Sequence, residues 1–399
     1  MGSIQQAATA AGSKAWIWVK EGVYREGAPG NYIGVEVPGS DLVISAEDGA
    51  RVEIRPASEA HTYGVVLHGD RVALRGVRLE GFTRNGVLLA SGKATQRGVV
   101  LDRVSMRMAL GDFSNGVIMA EIPDRVGVPA IEGLLLHEVE VLDASLGITC
   151  GRGPCNDLRF HRVKVANKTR DAGSGADAIA VEDGRNVAMT EVEATGAGAD
   201  GIDLKAEGIL LAGVWSHHNA RNGIKLWHGG DVVNARVDHV GADAAVALKA
   251  PGKYRLLHVL VAYHNHKGPS SYVMTVGHGQ EEVVELEIRN SVFWRNAGGL
   301  YLSPQTRAEL EHNVFAESDN GKFLEQGERF VTLDEGELTP WGAHNQLLPK
   351  LLMQEDGGFG LDSPLRDAGK REPEDPPADL RGEARVRGAA PDLGPWEVQ

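Results

Sequence analysis

Between residues 176 and 249 the chain carries side chains whose types and spacing could do cation and acid–base chemistry. Three phrases repeat a common pattern: Ala176-Asp177-Ala178-Ile179, Ala199-Asp200-Gly201-Ile202-Asp203-Leu204 and Asn222-Gly223-Ile224-Lys225-Leu226. Aligned on the isoleucine, Asp177, Asp200 and Asn222 share one turn position, and Asp243 is expected there in the next copy. The first outward position then reads Ala180, Asp203, Lys225 and Ala247, and the second Glu182, Lys205, Trp227 and Lys249. Asp177, Asp200, Asp203 and Glu182 gather carboxylate oxygens, the donors taken by a hard cation such as calcium. Lys225, one copy further on, is the candidate base. Lys205, Arg221, Lys249, His218 and His228 add cationic and imidazole groups, and Trp227 a flat ring. Eight of the 14 histidines fall between His217 and His278, with Lys253, Arg255 and Lys267 among them. A single Asp–Lys pair on neighbouring strands is commonly a surface contact worth under about 1 kcal/mol. Three acids, a lysine and a tryptophan on consecutive copies point instead to a site. His217 and His218 also fit a turn-capping role.

Such a site needs a scaffold that returns the chain to one place in every repeat. A short unit supplies it: a small or turn residue, then apolar–variable–apolar. It occurs as YGVVL at 63–67, NGVLL at 85–89, NGVIM at 115–119, LGITC at 146–150 and DAIAV at 177–181. Further copies are DGIDL at 200–204, NGIKL at 222–226, AVAL at 245–248, YVMTV at 272–276 and GGLYL at 298–302. The inward anchors are Val65, Val87, Val117, Ile148, Ile179, Ile202, Ile224, Val246, Val273 and Leu300, in steps of 22 to 31 residues. A second run follows each unit, as in RVALRGVRL, GVVLDRVSM and GLLLHEVEV. Period-two alternation marks half-buried strands, and the Gly/Asp/Asn clusters between them mark turns. The fixed leucine consensus of leucine-rich repeats is absent.

The pattern predicts an all-β, right-handed parallel β-helix of about ten to eleven coils. Residues 1–13 read as an N-terminal capping helix, 14–318 as the β-helix, and 319–399 as a C-terminal cap and irregular tail packed on it. Asn219, Asn265, Asn296 and Asn313 are expected to stack as an amide ladder at one turn.

A net charge of −14 argues against a general nucleic-acid partner, which selects a basic excess. No apolar run approaches the roughly 20 residues that span a membrane. Cys150 and Cys155 are the only cysteines. Two buried thiols are the expected state, a small local disulfide the alternative. The opening Met1-Gly2-Ser3 resembles a replaced leader, and the expected location is secreted or periplasmic.

Over these three phrases the chain resembles the pectate lyase-like β-helix proteins, most closely the family 9 polysaccharide lyases. That family carries an Asp-Gly coil, an Asp-Asp-Gly turn with a further aspartate, and a Gly-Phe-Lys-Leu-like strand with the catalytic lysine. The resemblance implies calcium held by Asp177, Asp200 and Asp203, Lys225 as the Brønsted base, and β-elimination on an acidic, uronic-acid-containing polysaccharide by a monomer. Where the family doubles its aspartate, this chain has Ala199-Asp200, one ligand fewer. Lys225 could act as base only when neutral, which neighbouring cations favour and the aspartates oppose. A glycoside hydrolase is the nearest rival, since DGID at 200–203 and Gly277-His278-Gly279 echo polygalacturonase elements. Hydrolysis needs a positioned carboxyl pair, and the coil that should supply one offers Arg221-Asn222. A uronan epimerase or a non-catalytic carbohydrate-binding β-helix are the further alternatives.

Overall fold

The computed structural model describes residues 2–89, 95–109, 114–119, 130–151, 153–168, 176–249, 251–265, 271–279, 281–335, 337–354 and 357–398. Lys267 lies outside them. The protein is mostly β, a β-helix-like solenoid, and it divides into two compact units, residues 1–206 and 207–399.

In the first unit each coil contributes one strand to each of three sheets, seven strands per sheet among the described residues. One coil runs Ile131–His137, Glu140–Leu142, Leu146–Cys150, and the next runs Cys155–His161, Lys164–Ala166, Ile179–Val181. The strands pair in parallel with matched register, Leu134 on Leu158 and Leu136 on Phe160 in the first sheet. Leu134, Leu136, Leu158 and Phe160 are all buried, each such burial contributing up to about 1.5–3 kcal/mol.

The runs read as single second strands are in fact two strands joined at a corner. In GLLLHEVEV the chain leaves the first sheet at His137, turns through Glu138 at φ 51° and enters the second sheet at Glu140. Arg162 (φ 53°) and Glu191 (φ 54°) repeat this left-handed turn one and two coils on. A non-glycine residue in that region costs about 1–2 kcal/mol. The valine that follows, Val139, Val163 or Val192, is buried, and its burial offsets the strain. The corner side chains also form a charged ladder, Arg162 bonding Glu191 at 3.0 Å and Glu138 at 3.4 Å.

The N-terminal helix spans Ile4–Ala11 and buries Ile4 and Ala8. Ser3 caps it by accepting from the Gln6 N–H, and Gly12, at φ 64°, ends it. The buried Glu26 carboxylate completes the cap, accepting from Ser3 Oγ (2.6 Å), Ile4 N (2.6 Å) and Gln5 N (3.4 Å). Four orphan N–H groups at a helix start explain why a carboxylate is held there. The cysteines are not two thiols: Cys150 and Cys155 form a disulfide across the turn between two strands.

In the second unit the three sheets hold five, six and six strands among the described residues. Beyond residue 318, Lys322–Gln326 pairs in parallel on Leu300–Leu302, and Gln346–Leu348 on Val314–Ala316. Arg329–Thr332 then folds back antiparallel on Lys322–Gln326. The second sheet here is apolar on both faces, which accounts for runs such as RLLHVLVAY. Outward-facing Leu260, Val292, Trp294 and Val314 are covered by Leu351, Phe359, Leu365, Leu393 and Trp396 of the C-terminal segment. Arg385 is buried against Glu397, Asn234 and the Gly394 and Pro395 carbonyls.

The four asparagines do not form one ladder. Asn219 and Asn296 follow or end second-sheet strands, with Val240 and His264 at the equivalent positions between, and Asn265 is exposed. Asn313 precedes its strand and pairs instead with Asn345, Nδ2 to Oδ1 at 3.0 Å. Asn115 and Asn85 make the same 3.0 Å step in the first unit.

Candidate functional site

The third sheet carries the strands on which the repeats place Asp203 and Lys225. In the first unit Ile179 pairs with Ile202 and Ala180 with Asp203, so the anchor alignment holds there. Asp177 and Asp200 occupy successive turns, and Asp177 Oδ1 accepts the Asp200 N–H at 2.9 Å. Asp200 and Asp203 are 2% and 5% exposed, and Ala199 is buried beside them. Buried carboxylates persist where a cation or hydrogen bonds compensate them, and all-oxygen donors suit a hard cation. Asp177, Asp200 and Asp203 are thus carboxylates carried by two successive coils. Glu182 is engaged differently: its Oε2 is ion-paired with Lys205 Nζ.

In the second unit Ile224 pairs with Val246 and Lys225 with Ala247. Asp243 consequently lies opposite Arg221, one residue from its expected place beside Asn222, and the two form an ion pair at 2.9 Å. Asn222 Nδ2 donates to the Ala244 carbonyl at 2.5 Å. The anchor in YVMTV also shifts by one, because Met274 rather than Val273 pairs with Val246 and Leu300.

A cleft of about 410 Å³ opens on this face, lined among others by Arg221, Lys225, Trp227, Lys249, Tyr272 and His278. Its floor is low because Ala247 stands between Lys225 and Thr275 in the ladder. Lys225 Nζ lies 5.2 Å and Lys249 Nζ 5.6 Å from the centre of the Trp227 ring. Both ammonium groups thus address one indole ring, each contact worth about 0.5–1 kcal/mol when exposed. Behind Lys249, the buried Tyr254 hydroxyl donates to its carbonyl at 2.5 Å and fixes the strand end. Burial, then the neighbouring Glu325 carboxylate, pushes the Tyr272 phenol up to about 12, so it remains a neutral hydrogen-bonding group at neutral pH. Tyr272 and Tyr301 rings sit 5.1 Å apart, and His278 meets Tyr301 edge-on at 5.2 Å.

Sequence reading missed Tyr272 and Thr275. Thr275 was available from the ladder once Met274 replaced Val273 as anchor. His278, noticed only as a hydrolase echo, lines the same cleft as Lys225. His228 is exposed and outside the cleft lining. His218 belongs to the second sheet, in a separate group.

That group is built on the strands Trp215–His217 and Arg236–Asp238, which pair in parallel. His217 stacks on Trp215 at 4.0 Å, and its Nδ1 lies 2.7 Å from His218 Nδ1. His218 and His239, at φ 53° and 50°, occupy the same left-handed corner on successive coils and stack at 4.7 Å. Tyr263 continues the stack at 4.8 Å. The buried Asp238 carboxylate takes Arg236, Trp215 Nε1 (3.2 Å) and His239 Nδ1 (2.9 Å). Burial, then His217 and His239, holds the His218 imidazole below its usual range. Among the described residues, His217, His218 and Asp238 bring ligand atoms within 4.8 Å of one another, a group able to hold a metal ion. No helix among the described residues is long and apolar enough to cross a membrane.

No family model matches this chain, and no curated protein matches it. Among solved structures it is similar to pectate lyase Pel9A, with a TM-score of 0.46 and 14% identity over 100% of this chain and 91% of that one. It is also similar to the A-module of mannuronan C-5 epimerase AlgE4 from Azotobacter vinelandii, TM-score 0.46 and 17% identity over 82% and 92% of the two chains. The catalytic unit of a GH87 α-1,3-glucanase from Streptomyces thermodiastaticus strain HF3-3 matches at TM-score 0.28 and 12% identity, covering 91% of this chain and 67% of that one. These are likenesses of fold.

Proposed function

We propose that this protein is a polysaccharide lyase that cleaves an acidic, uronic-acid-containing polysaccharide by β-elimination, with Lys225 as the base. The observation that carries the reading is the cleft: Lys225 and Lys249 stand over Trp227, with Arg221 in the same lining, in a chain of net charge −14. An acidic protein that concentrates cations and an indole in one groove is suited to an anionic sugar polymer. The cations meet carboxylates, and the ring meets a sugar face.

In the reaction, neutral Lys225 Nζ takes the proton from carbon 5 of a uronate. The carbon–hydrogen pair becomes the new C4–C5 double bond, and the C4–O bond breaks with its electrons leaving on the glycosidic oxygen, which takes a proton from water, while the Lys225 ammonium returns its proton to solvent. Lys249 lines the same cleft and would pair with a substrate carboxylate. Trp227 and Tyr272 would orient the ring, which keeps the reacting atoms in line. Asp177, Asp200 and Asp203 of the first unit are the residues that would hold calcium, and the chemistry calcium would supply is neutralisation of a uronate carboxylate, which makes the neighbouring carbon–hydrogen bond more acidic. Glu182, paired with Lys205, is left out of that set. The position of Lys205 in this ion pair makes it a substrate contact at most.

A hydrolase is less well supported, because among the described residues Asp243 is the one carboxylate in the cleft lining and it is paired with Arg221. The test is ultraviolet absorbance during incubation with polygalacturonate and a small uronan panel, with calcium and then with chelator. Unsaturated product that disappears with chelator supports the reading and names the substrate. New reducing ends without absorbance mean hydrolysis, and an altered uronate composition without cleavage means epimerisation.

A further inference from the structure

The His217–His218–Asp238 group carries an inference that is independent of the cleft. We infer that it is a binding site for a divalent transition metal ion of zinc type, which clamps two successive coils of the second unit.

The donors decide the class of ion. Imidazole nitrogen with one carboxylate is the ligand set of zinc and its neighbours, whereas calcium and magnesium take oxygen. His217 and His218 come from one coil and Asp238 from the next, so an ion joining them ties coils that are otherwise linked by strand hydrogen bonds. His239, bonded to the same carboxylate, is placed to be a fourth ligand or to hold Asp238 as an outer partner.

The rings are fixed before any ion arrives. Trp215 stacks on His217, while His239 stacks on His218, and the two imidazoles stand at 82° to each other. The left-handed backbone at His218 folds its side chain back beside His217. The two nitrogens, 2.7 Å apart, need to separate by about 0.6 Å to take tetrahedral zinc at its usual Zn–N length of about 2.0–2.1 Å. His217 and Asp238 are buried and His218 is exposed, so the site has a fixed base and an open approach. Arg236, sandwiched near the Trp215 and Trp396 rings, shares the Asp238 carboxylate and orients it.

The test is isothermal titration of the chelator-treated full chain with zinc chloride and, separately, calcium chloride, together with cobalt(II) absorbance. One zinc per chain at micromolar affinity or tighter is expected, with intense visible bands from four-coordinate cobalt and a raised melting temperature. His218→Gln, at an exposed position, should weaken zinc at least ten-fold while circular dichroism is unchanged. Asp238→Asn should do the same for zinc, whereas Asp200→Asn should leave zinc binding intact. No zinc uptake, or equal affinity in wild type and His218→Gln, overturns the proposal. Neither result bears on the lyase reading, since zinc uptake is read without substrate.

Discussion

Replacing Lys225 with alanine separates catalysis from binding in a way the geometry makes quantitative. Lys225 lies on a strand whose flanking Ile224 and Leu226 are fully buried, and it pairs in register with Ala247. Alanine already occupies the equivalent place one coil on, so the fold should tolerate a second one. The binding loss is bounded by one exposed cation–carboxylate contact, up to about 1 kcal/mol, or roughly five-fold in KM. Lys249, Arg221 and Trp227 remain to hold the polymer. Removing a general base instead costs about 10²–10⁴ in kcat, roughly 2.7–5.5 kcal/mol of barrier. Initial rates of unsaturated-product formation over a substrate range give both numbers. A variant that keeps kcat within ten-fold of wild type refutes Lys225 as base. A variant whose KM rises while kcat holds makes it a binding cation.

Trp227→Ala should act the other way, weakening polymer affinity by about ten-fold through loss of the sugar platform, with a smaller effect on kcat; retardation in substrate-containing gels measures it. Asp200→Asn removes a buried carboxylate from the proposed calcium set and should raise the calcium needed for half-maximal turnover by at least ten-fold, while an unchanged calcium profile would exclude Asp200 as a ligand. Glu26→Ala deletes three acceptor contacts at the N-terminal helix and should cost about 3 kcal/mol in denaturant unfolding. Glu397, buried in the C-terminal segment, is pushed up to about 7 by burial. The folded protein then holds that proton more tightly than the unfolded chain. The contribution is complete below about pH 4.5 and disappears as pH rises through 7, worth up to about 3 kcal/mol. Glu397→Gln should therefore gain stability on wild type between pH 5 and 8, and a constant difference across that range would show that Glu397 titrates normally.

Much of the fold was legible because its signal repeats. Nine of the ten inward anchors align in register within their units, and only Val273 slips to its neighbour Met274. Strand alternation has a period of two, so a one-residue error exchanges inside for outside, and the flanking Val273 and Met274 are both apolar and both buried. The corners were not legible. Glu138, Arg162 and Glu191 are ordinary surface residues by type, and nothing in their chemistry announces a left-handed backbone. The turn is enforced by the valine after it, whose burial is a property of the whole coil.

The site divides along the same line. Lys225, Trp227 and Lys249 could be found because strand positions follow from the anchors. Arg221 lines the cleft, and Asp243 stands opposite it, one residue from the place read from the anchors, because turns differ in length while strands keep register. His218 shows the deeper reason. Its sequence position, just after a strand, looks like that of any turn residue. Only the corner backbone turns its ring toward His217, onto His239 and within reach of Asp238. In a solenoid the strands carry information that a sequence shows openly, while the corners carry chemistry that depends on backbone sign. A residue type that can coordinate, placed at a corner on two successive coils, is thus the feature to look for when such a sequence is read again.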